Sequence, residues 1–171
     1  MKFLAAVLLC SLFVINAFSQ AQYEVLKDEQ HPEQHILRGI INKYVVQNDS
    51  SYNWYKSSAG MYKPDTATLS AFERAKGKVQ FVVFGGTWCE DTQFVLPKFF
   101  KLQEMSGITD NTITFFGVNR AKKSLANIAD AFGIINVPTI IVMKDGKETG
   151  RVVEYGKTGK WDKELAEILN H

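Results

Sequence analysis

Cys89 is one of two cysteines in the sequence, whose thiols are its most nucleophilic side chains, and it lies between an apolar run, Val79–Phe84, and a helical pattern. A sulfur at the start of a helix meets free backbone N–H groups and the positive end of the helix dipole, which favour the thiolate. The thiolate is the form that attacks disulfides and peroxides. Glu90 and Asp91 follow directly, and their charges oppose another anion. The sequence leaves open which influence prevails.

Thr92 follows Cys89 by three residues, so that a helical turn brings its side chain back toward the sulfur. Its hydroxyl could donate a hydrogen bond to a thiolate. It could also serve only the backbone of the first helical turn, and the two roles are compatible. In neither role does a threonine supply a second thiol.

Histidines offer two rival sites. His31 and His35 are four residues apart and could share a helix face, but Pro32 stands where a zinc-binding His-Glu-x-x-His motif has its glutamate. We therefore expect no metal, and no other cofactor. A Cys-His hydrolase is equally disfavoured, because no histidine, His171 included, is placed to activate Cys89.

The N-terminal segment has the charge pattern of a secretory leader. Lys2 precedes the apolar run Phe3–Ile15, which is shorter than the roughly 20 residues that a membrane-spanning helix needs. Small residues permit cleavage after Ser19 or after Ala21, and we expect Ser19. Cleavage would remove Cys10 and export the chain to the periplasm or the extracellular space, with Cys89 as its single thiol. A retained N-terminal anchor is the alternative.

Composition indicates an ordinary globular chain. Its 171 residues are 46% hydrophobic and 22% charged, which excludes disordered, collagen-like and coiled-coil proteins. The 20 Lys and Arg residues are interleaved with 18 Asp and Glu residues, for a net charge of +2. This balance indicates neither nucleic acid nor, after cleavage of the leader, a membrane as a partner.

Upstream of Cys89 the pattern predicts an N-terminal helical extension over residues 20–64. Apolar residues recur at helical spacing from Pro32 to about Asn48, and the aromatic residues between Asp49 and Lys63 are expected to cover the core. A second helix, capped by Asp65 or Thr66, opens a domain over residues 65–171.

Downstream of this helix, strands and helices alternate in the order βαβαββα. The strands are predicted at Val79–Phe84, Thr112–Val118, Thr139–Met143 and Gly150–Glu154, and the helices at Phe94–Leu102, Ser124–Phe132 and Asp162–Leu169. A β-α-β pair requires parallel strands, whereas the turn at Asp145-Gly146 makes a hairpin. The sequence therefore predicts an α/β fold of three layers, with helices on both faces of a mixed sheet.

From about Thr66 to the C-terminus the chain resembles the thioredoxin superfamily. The resemblance rests on Phe81–Phe84, Thr87–Thr92, Asn136–Val142 and Lys144–Glu148. Trp-Cys at a strand–helix junction is weak evidence alone, but Val-Pro-Thr about fifty residues later, with an apolar strand and an Asp-Gly hairpin, makes it specific. The resemblance implies that Cys89 is the nucleophile and Trp88 an aromatic wall beside it. It also implies that Pro138 is a cis proline facing Cys89, so that the Val137 backbone can pair with an extended substrate.

Two departures from the superfamily pattern concern the reaction itself. Thr92 stands in place of the second cysteine, and Val83 replaces a buried carboxylate that assists proton transfer to it. The first hypothesis is therefore monothiol exchange with protein or small-molecule disulfides, resolved by an external thiol such as glutathione. The second is a redox-inactive polypeptide-binding module that uses the proline edge and the aromatics of Tyr52–Tyr62. The third is a peroxide-reactive thiol that forms a Cys89-linked dimer.

Overall fold

The computed structural model describes residues 22–171, so the predicted leader lies outside the described residues. Within that range the strands are β1 (Tyr23–Lys27), β2 (His35–Ile41), β3 (Gln80–Gly85), β4 (Ile113–Gly117), β5 (Thr139–Lys144) and β6 (Lys147–Val153). They form one sheet in the order β1-β2-β4-β3-β5-β6. Strands β3 and β4 are parallel and the other neighbours antiparallel, which confirms the predicted mixed sheet.

Helices cover both faces of this sheet, as predicted. They are α1 (Lys43–Asn48), α2 (Trp54–Gly60), α3 (Thr66–Ala75), α4 (Glu90–Ser106), α5 (Ile128–Ala131) and α6 (Trp161–Leu169). Alternation along β3 divides the core, because successive side chains of a strand point to opposite faces. Phe81 and Val83 pack with α3, α4 and α6, whereas Phe84 packs with α5 on the other face.

The order βαβαββα is confirmed from β3 to α6. Helix α3 begins as predicted, with the Asp65 side chain accepting a hydrogen bond from the Thr68 N–H at 2.7 Å. The tyrosines of the preceding segment cover the core, since Tyr52, Tyr55 and Tyr62 are all buried. The helix expected over Ser124–Phe132 is shorter and comprises only α5.

The helix predicted from Pro32 to about Asn48 is wrong over its first half. Residues His35–Ile41 form β2, which pairs with β1 and β4, and a helix begins only at Lys43, after the cap Asn42. Leu37 and Ile41 point inward with the period of two that a strand requires. Ile40 is 43% exposed, and this outward apolar residue is what gave the segment its helical spacing. The N-terminal extension therefore contributes two strands to the sheet.

Gly39 lets these strands approach closely. Its φ is +128°, and a Cβ atom there would lie 2.5 Å from the Gln22 carbonyl oxygen. We expect Gly39→Ala to lower the free energy of unfolding by about 2 kcal/mol or more, because it combines backbone strain with a clash against backbone. Gly60→Ala is the matched control, since nothing lies within 4 Å of a Cβ there. Urea unfolding of both variants measures the difference, and equal stabilities would contradict this account.

Candidate functional site

The site begins where β3 ends in two glycines. The Gly85 carbonyl accepts a hydrogen bond from the Val118 N–H at 3.0 Å, and the Gly86 carbonyl accepts one from the Cys89 N–H at 2.9 Å. A Cβ atom at Gly86 would lie 2.5 Å from Nε1 of Trp88, so the turn has no room for another residue type. This compact turn places Cys89 at the N-cap position, directly before α4.

Cys89 caps the N-terminus of α4 and is partly exposed. Its thiol donates a hydrogen bond to the Val137 carbonyl oxygen, with Sγ and O 3.2 Å apart. The Val137–Pro138 peptide bond is cis, as the resemblance implied. The structure thus brings together three residues that the sequence had singled out. Val137 and Pro138 are buried as whole residues, with 3% of Val137 exposed, so their side chains offer a substrate no contact surface.

Thr92 lies beneath this turn with 2% of its surface exposed. Its hydroxyl oxygen accepts a hydrogen bond from the Gly86 N–H at 3.2 Å. In the described part of the chain, the Val137 carbonyl is the only hydrogen-bond partner found for the Cys89 sulfur. Of the two roles considered for Thr92, the structure contains the one in which its hydroxyl binds a backbone N–H group.

Trp88 is held in place by two contacts beside Cys89. Its indole N–H donates a hydrogen bond to the Val118 carbonyl at 3.0 Å, and the Arg120 guanidinium carbon lies 5.1 Å from the ring centroid. Arg120 is in turn bound by both carboxylate oxygens of Asp28, at 3.0 and 2.8 Å. The Asp28 side chain is fully buried. The Arg120 hydrogen bond, with smaller contributions from its charge and from the Gln30 N–H, lowers the pKa of Asp28 despite the opposing effect of burial.

Sequence reasoning missed both members of this ion pair. Asp28 and Arg120 are 92 residues apart, and neither belongs to a local motif. A second missed contact joins the same two parts of the chain, because the buried Thr87 hydroxyl donates a hydrogen bond to the His35 carbonyl at 2.8 Å. The N-terminal part of the chain therefore binds two residues next to Trp88. His35 binds Thr87, which precedes Trp88 in sequence, and Asp28 binds Arg120, which lies against the Trp88 ring.

Two acidic residues follow Cys89 directly. Glu90 and Asp91 occupy the first turn of α4, where the helix dipole favours negative charge. Tyr155 faces this turn, and burial, followed by the carboxylate of Asp91, raises the pKa of its phenol to about 12. The phenol therefore stays protonated at neutral pH and can donate a hydrogen bond to Asp91.

The described residues contain no group of three or more His, Cys, Asp or Glu side chains able to hold a metal ion. His31 and His35 do not share a helix face, because His31 lies in a turn and His35 begins β2. Between residues 22 and 171, no helix has the length and apolar character needed to cross a membrane.

Comparison with known proteins agrees with this geometry. The sequence model of the family described as Thioredoxin matches residues 66–169. A thioredoxin-like protein of Acanthamoeba polyphaga mimivirus is 30% identical over 96 residues, which cover 54% of this chain and 67% of the viral protein. A thioredoxin of Staphylococcus haemolyticus is 28% identical over 98 residues, which cover 57% of this chain and 86% of that protein.

A solved structure shares the fold. The crystal structure of an HIV epitope scaffold superposes with a TM-score of 0.50 at 17% identity, covering 75% of this chain and 90% of the scaffold. At that identity the likeness concerns the fold alone.

Thr92 provides a test of the turn. We expect Thr92→Val to lower the free energy of unfolding by about 1–3 kcal/mol, because the buried Gly86 N–H loses its acceptor. Hydrogen exchange of the Gly86 amide should accelerate in that variant. Thr92→Ser keeps the oxygen and should leave the exchange slow. Slow exchange in both variants would show that Thr92 does not hold the turn.

Asp28 provides a test with a defined pH dependence. We expect Asp28→Asn to lower the free energy of unfolding at pH 7 by about 2–4 kcal/mol, because it leaves Arg120 without its buried partner. The folded-state pKa of Asp28 lies below the ordinary 3.8. The stability due to that shift is therefore complete above pH 3.8 and is lost as the pH falls through the folded-state pKa.

Urea titrations of wild type and Asp28→Asn at pH 7, pH 4 and below measure the difference. It should shrink at the acid end. The control Glu33→Gln removes an exposed ion pair with His31 and should change stability little at any pH. A difference between wild type and Asp28→Asn that does not depend on pH would contradict the assignment.

Proposed function

The chain belongs to the thioredoxin family, and on that premise we propose that Cys89 carries out thiol–disulfide exchange as a single nucleophile. The observation that carries the proposal is the placement of Cys89. The residue is partly exposed at a helix N-terminus, and its sulfur lies 3.2 Å from the Val137 carbonyl oxygen, beside the edge at Val137–Pro138. An extended substrate that reaches the sulfur would meet this edge, where the Val137 carbonyl is the backbone group beside the sulfur.

The exchange has two balanced steps. The Cys89 thiolate attacks one sulfur of a substrate disulfide, a new S–S bond joins them, and the other sulfur leaves as a thiolate that takes a proton from solvent. An external thiolate then attacks the substrate sulfur of this mixed disulfide. It restores the Cys89 thiolate and leaves the substrate joined to the external thiol. When the substrate sulfur and the external thiol both belong to glutathione, the product is oxidised glutathione.

The residues around Cys89 support a reaction with one thiol. Thr92 occupies the position from which a second cysteine would resolve the mixed disulfide, and its oxygen already binds the Gly86 N–H. Val83 is fully buried, where the superfamily has a carboxylate that serves the second thiol. With no second cysteine at Thr92 and no carboxylate at Val83, only an external thiol can cleave the mixed disulfide.

We place this activity in an exported protein. The support is the leader pattern of Lys2 and Phe3–Ile15, followed by a cleavage site after Ser19. The substrates are then protein or small-thiol disulfides of the periplasm or the extracellular space, and a second thiol protein or a small thiol supplies the electrons.

A polypeptide-binding module is the second candidate, and one observation favours it. Ile135, two residues before Val137, is 78% exposed beside the same backbone edge. Of the aromatic residues first considered for this role, Tyr52, Tyr55 and Tyr62 lie in the core, and only Trp54 is partly exposed. Binding would then depend on Ile135 and would survive the loss of the Cys89 thiol.

The first test is adduct formation with oxidised glutathione. We expect the folded protein to form one glutathione adduct at Cys89, which reduced glutathione removes, and we expect none in Cys89→Ser. Thr92→Cys should convert the accumulating adduct into an internal disulfide, because it supplies the missing resolver. Intact-mass spectrometry follows all three species over time.

The control is the urea-unfolded chain. A folded protein that reacts no faster than this control would contradict the exchange reaction, and a Cys89-linked dimer formed with peroxide would favour the third hypothesis. If Cys89→Ser still binds an unfolded polypeptide and the added change Ile135→Ser abolishes that binding, the binding module is the better description.

A further inference from the structure

Lys98 is a buried charge without a hydrogen-bond or ion-pair partner; its one charge-related contact is the face of the Phe94 ring. It lies in the middle of α4 with 5% of its surface exposed, and within residues 22–171 its Nζ has no hydrogen-bond partner. Burial lowers the pKa of its ammonium group to about 8, so the group is still mostly charged at pH 7. An unpaired buried charge costs free energy and is therefore a candidate for a bound counter-ion.

Lys43 shows how this chain satisfies a buried ammonium group elsewhere. It is 4% exposed, yet its Nζ lies 2.8 Å from both Glu104 and Asp110 and 3.0 Å from the Gln103 side-chain oxygen. Lys98 has none of these contacts. Of these two lysines of similar burial, only Lys43 has anionic partners, so an anionic partner of Lys98 would have to come from outside the described chain.

A groove of about 390 Å³ lies beside Lys98. Its apolar wall is formed by Met61, Tyr62, Phe94 and Trp161. Met61 is 72% exposed, whereas Trp161 is 4% exposed and supplies the floor. Cavities of this size, mostly apolar with one or two polar groups, are typical of sites for small molecules.

The one acidic side chain that lines this groove is already engaged. Asp162 accepts hydrogen bonds at 2.9 Å from the Tyr62 hydroxyl and from the Lys163 N–H. Its two oxygens therefore have partners other than Lys98. Lys160 also lines the groove and is exposed, so the cations there outnumber the single anion.

Phe94 covers the ammonium group. Its ring centroid lies 2.7 Å from Nζ of Lys98, and 44% of the residue is exposed. Its other neighbour is Tyr155, with the two ring centroids 5.3 Å apart. Rotation of this exposed ring would open Nζ to the groove without disturbing the core.

We propose that the groove binds a small amphipathic monocarboxylate, with its carboxylate on Lys98 Nζ and its apolar tail between Met61, Tyr62 and Trp161. Charge complementarity selects the carboxylate, because Lys98 offers a cation that nothing in the described chain neutralises. The nearby Asp162 disfavours ligands with several negative charges. This site does not use Cys89 and stands independently of the exchange reaction.

Isothermal titration calorimetry at pH 7 with 3-phenylpropionate tests the proposal. We expect saturable binding to the wild type and at least tenfold weaker binding to Lys98→Met. That variant should fold, because it replaces the unpaired charge by an apolar side chain of similar length, and thermal unfolding checks this. Lys56→Met is the matched control, since it removes one positive charge from an exposed position outside the groove.

A neutral probe separates charge from apolar contact. We expect 3-phenylpropanol to bind the wild type at least tenfold more weakly than the acid, and to bind Lys98→Met no more weakly than the wild type. The site should persist in Cys89→Ser. Equal affinity of the acid for wild type and Lys98→Met, an equal loss in Lys56→Met, or no saturable binding to the wild type would each overturn the proposal.

Discussion

The candidate site depends on how the backbone groups at the end of β3 are satisfied. When the strand stops at Gly85 and Gly86, buried amide and carbonyl groups need new partners. Val118, Cys89 and Thr92 provide them. Each of these bonds restricts the turn. Together they place Cys89 directly before α4, with its thiol next to the Val137 carbonyl. The Cys89 thiol, whose own hydrogen bond is to the Val137 carbonyl, is thus positioned largely by the requirements of buried backbone.

The N-terminal strands extend this arrangement to the loop beyond β4. The bond from Thr87 to the His35 carbonyl joins the turn to β2, and the Asp28–Arg120 pair holds the segment that contacts Trp88. A buried charged pair is sensitive to geometry, because both groups lose solvation and recover it only through each other. The strands before residue 65 are consequently part of the support of the site as well as the edge of the sheet.

Much of this fold could be predicted because its signals are local. The order βαβαββα follows from short apolar runs separated by glycine turns, and Cys89 stood out by its place between a strand and a helix, whereas Val137 and Pro138 were found only through the superfamily resemblance. The failure at β2 came from Ile40, an exposed apolar residue that completed a helical pattern in a segment paired on both sides. Asp28 and Arg120 could not be found, because their contact exists only after strands far apart in sequence have been brought together.

The core has no charge at Val83 in β3, but it keeps one at Lys98 in α4. At Val83 the chain has an aliphatic side chain in the core, which avoids the desolvation cost of the superfamily's carboxylate and fits a site with no second thiol to deprotonate. At Lys98 it keeps a buried charge that has the Phe94 ring beside it but neither an anion nor a hydrogen-bond acceptor. A methionine there would pack as well and remove the cost. The retained ammonium group thus fits the proposed binding of an anion, whereas the aliphatic side chain at Val83 fits the proposed reaction with a single thiol.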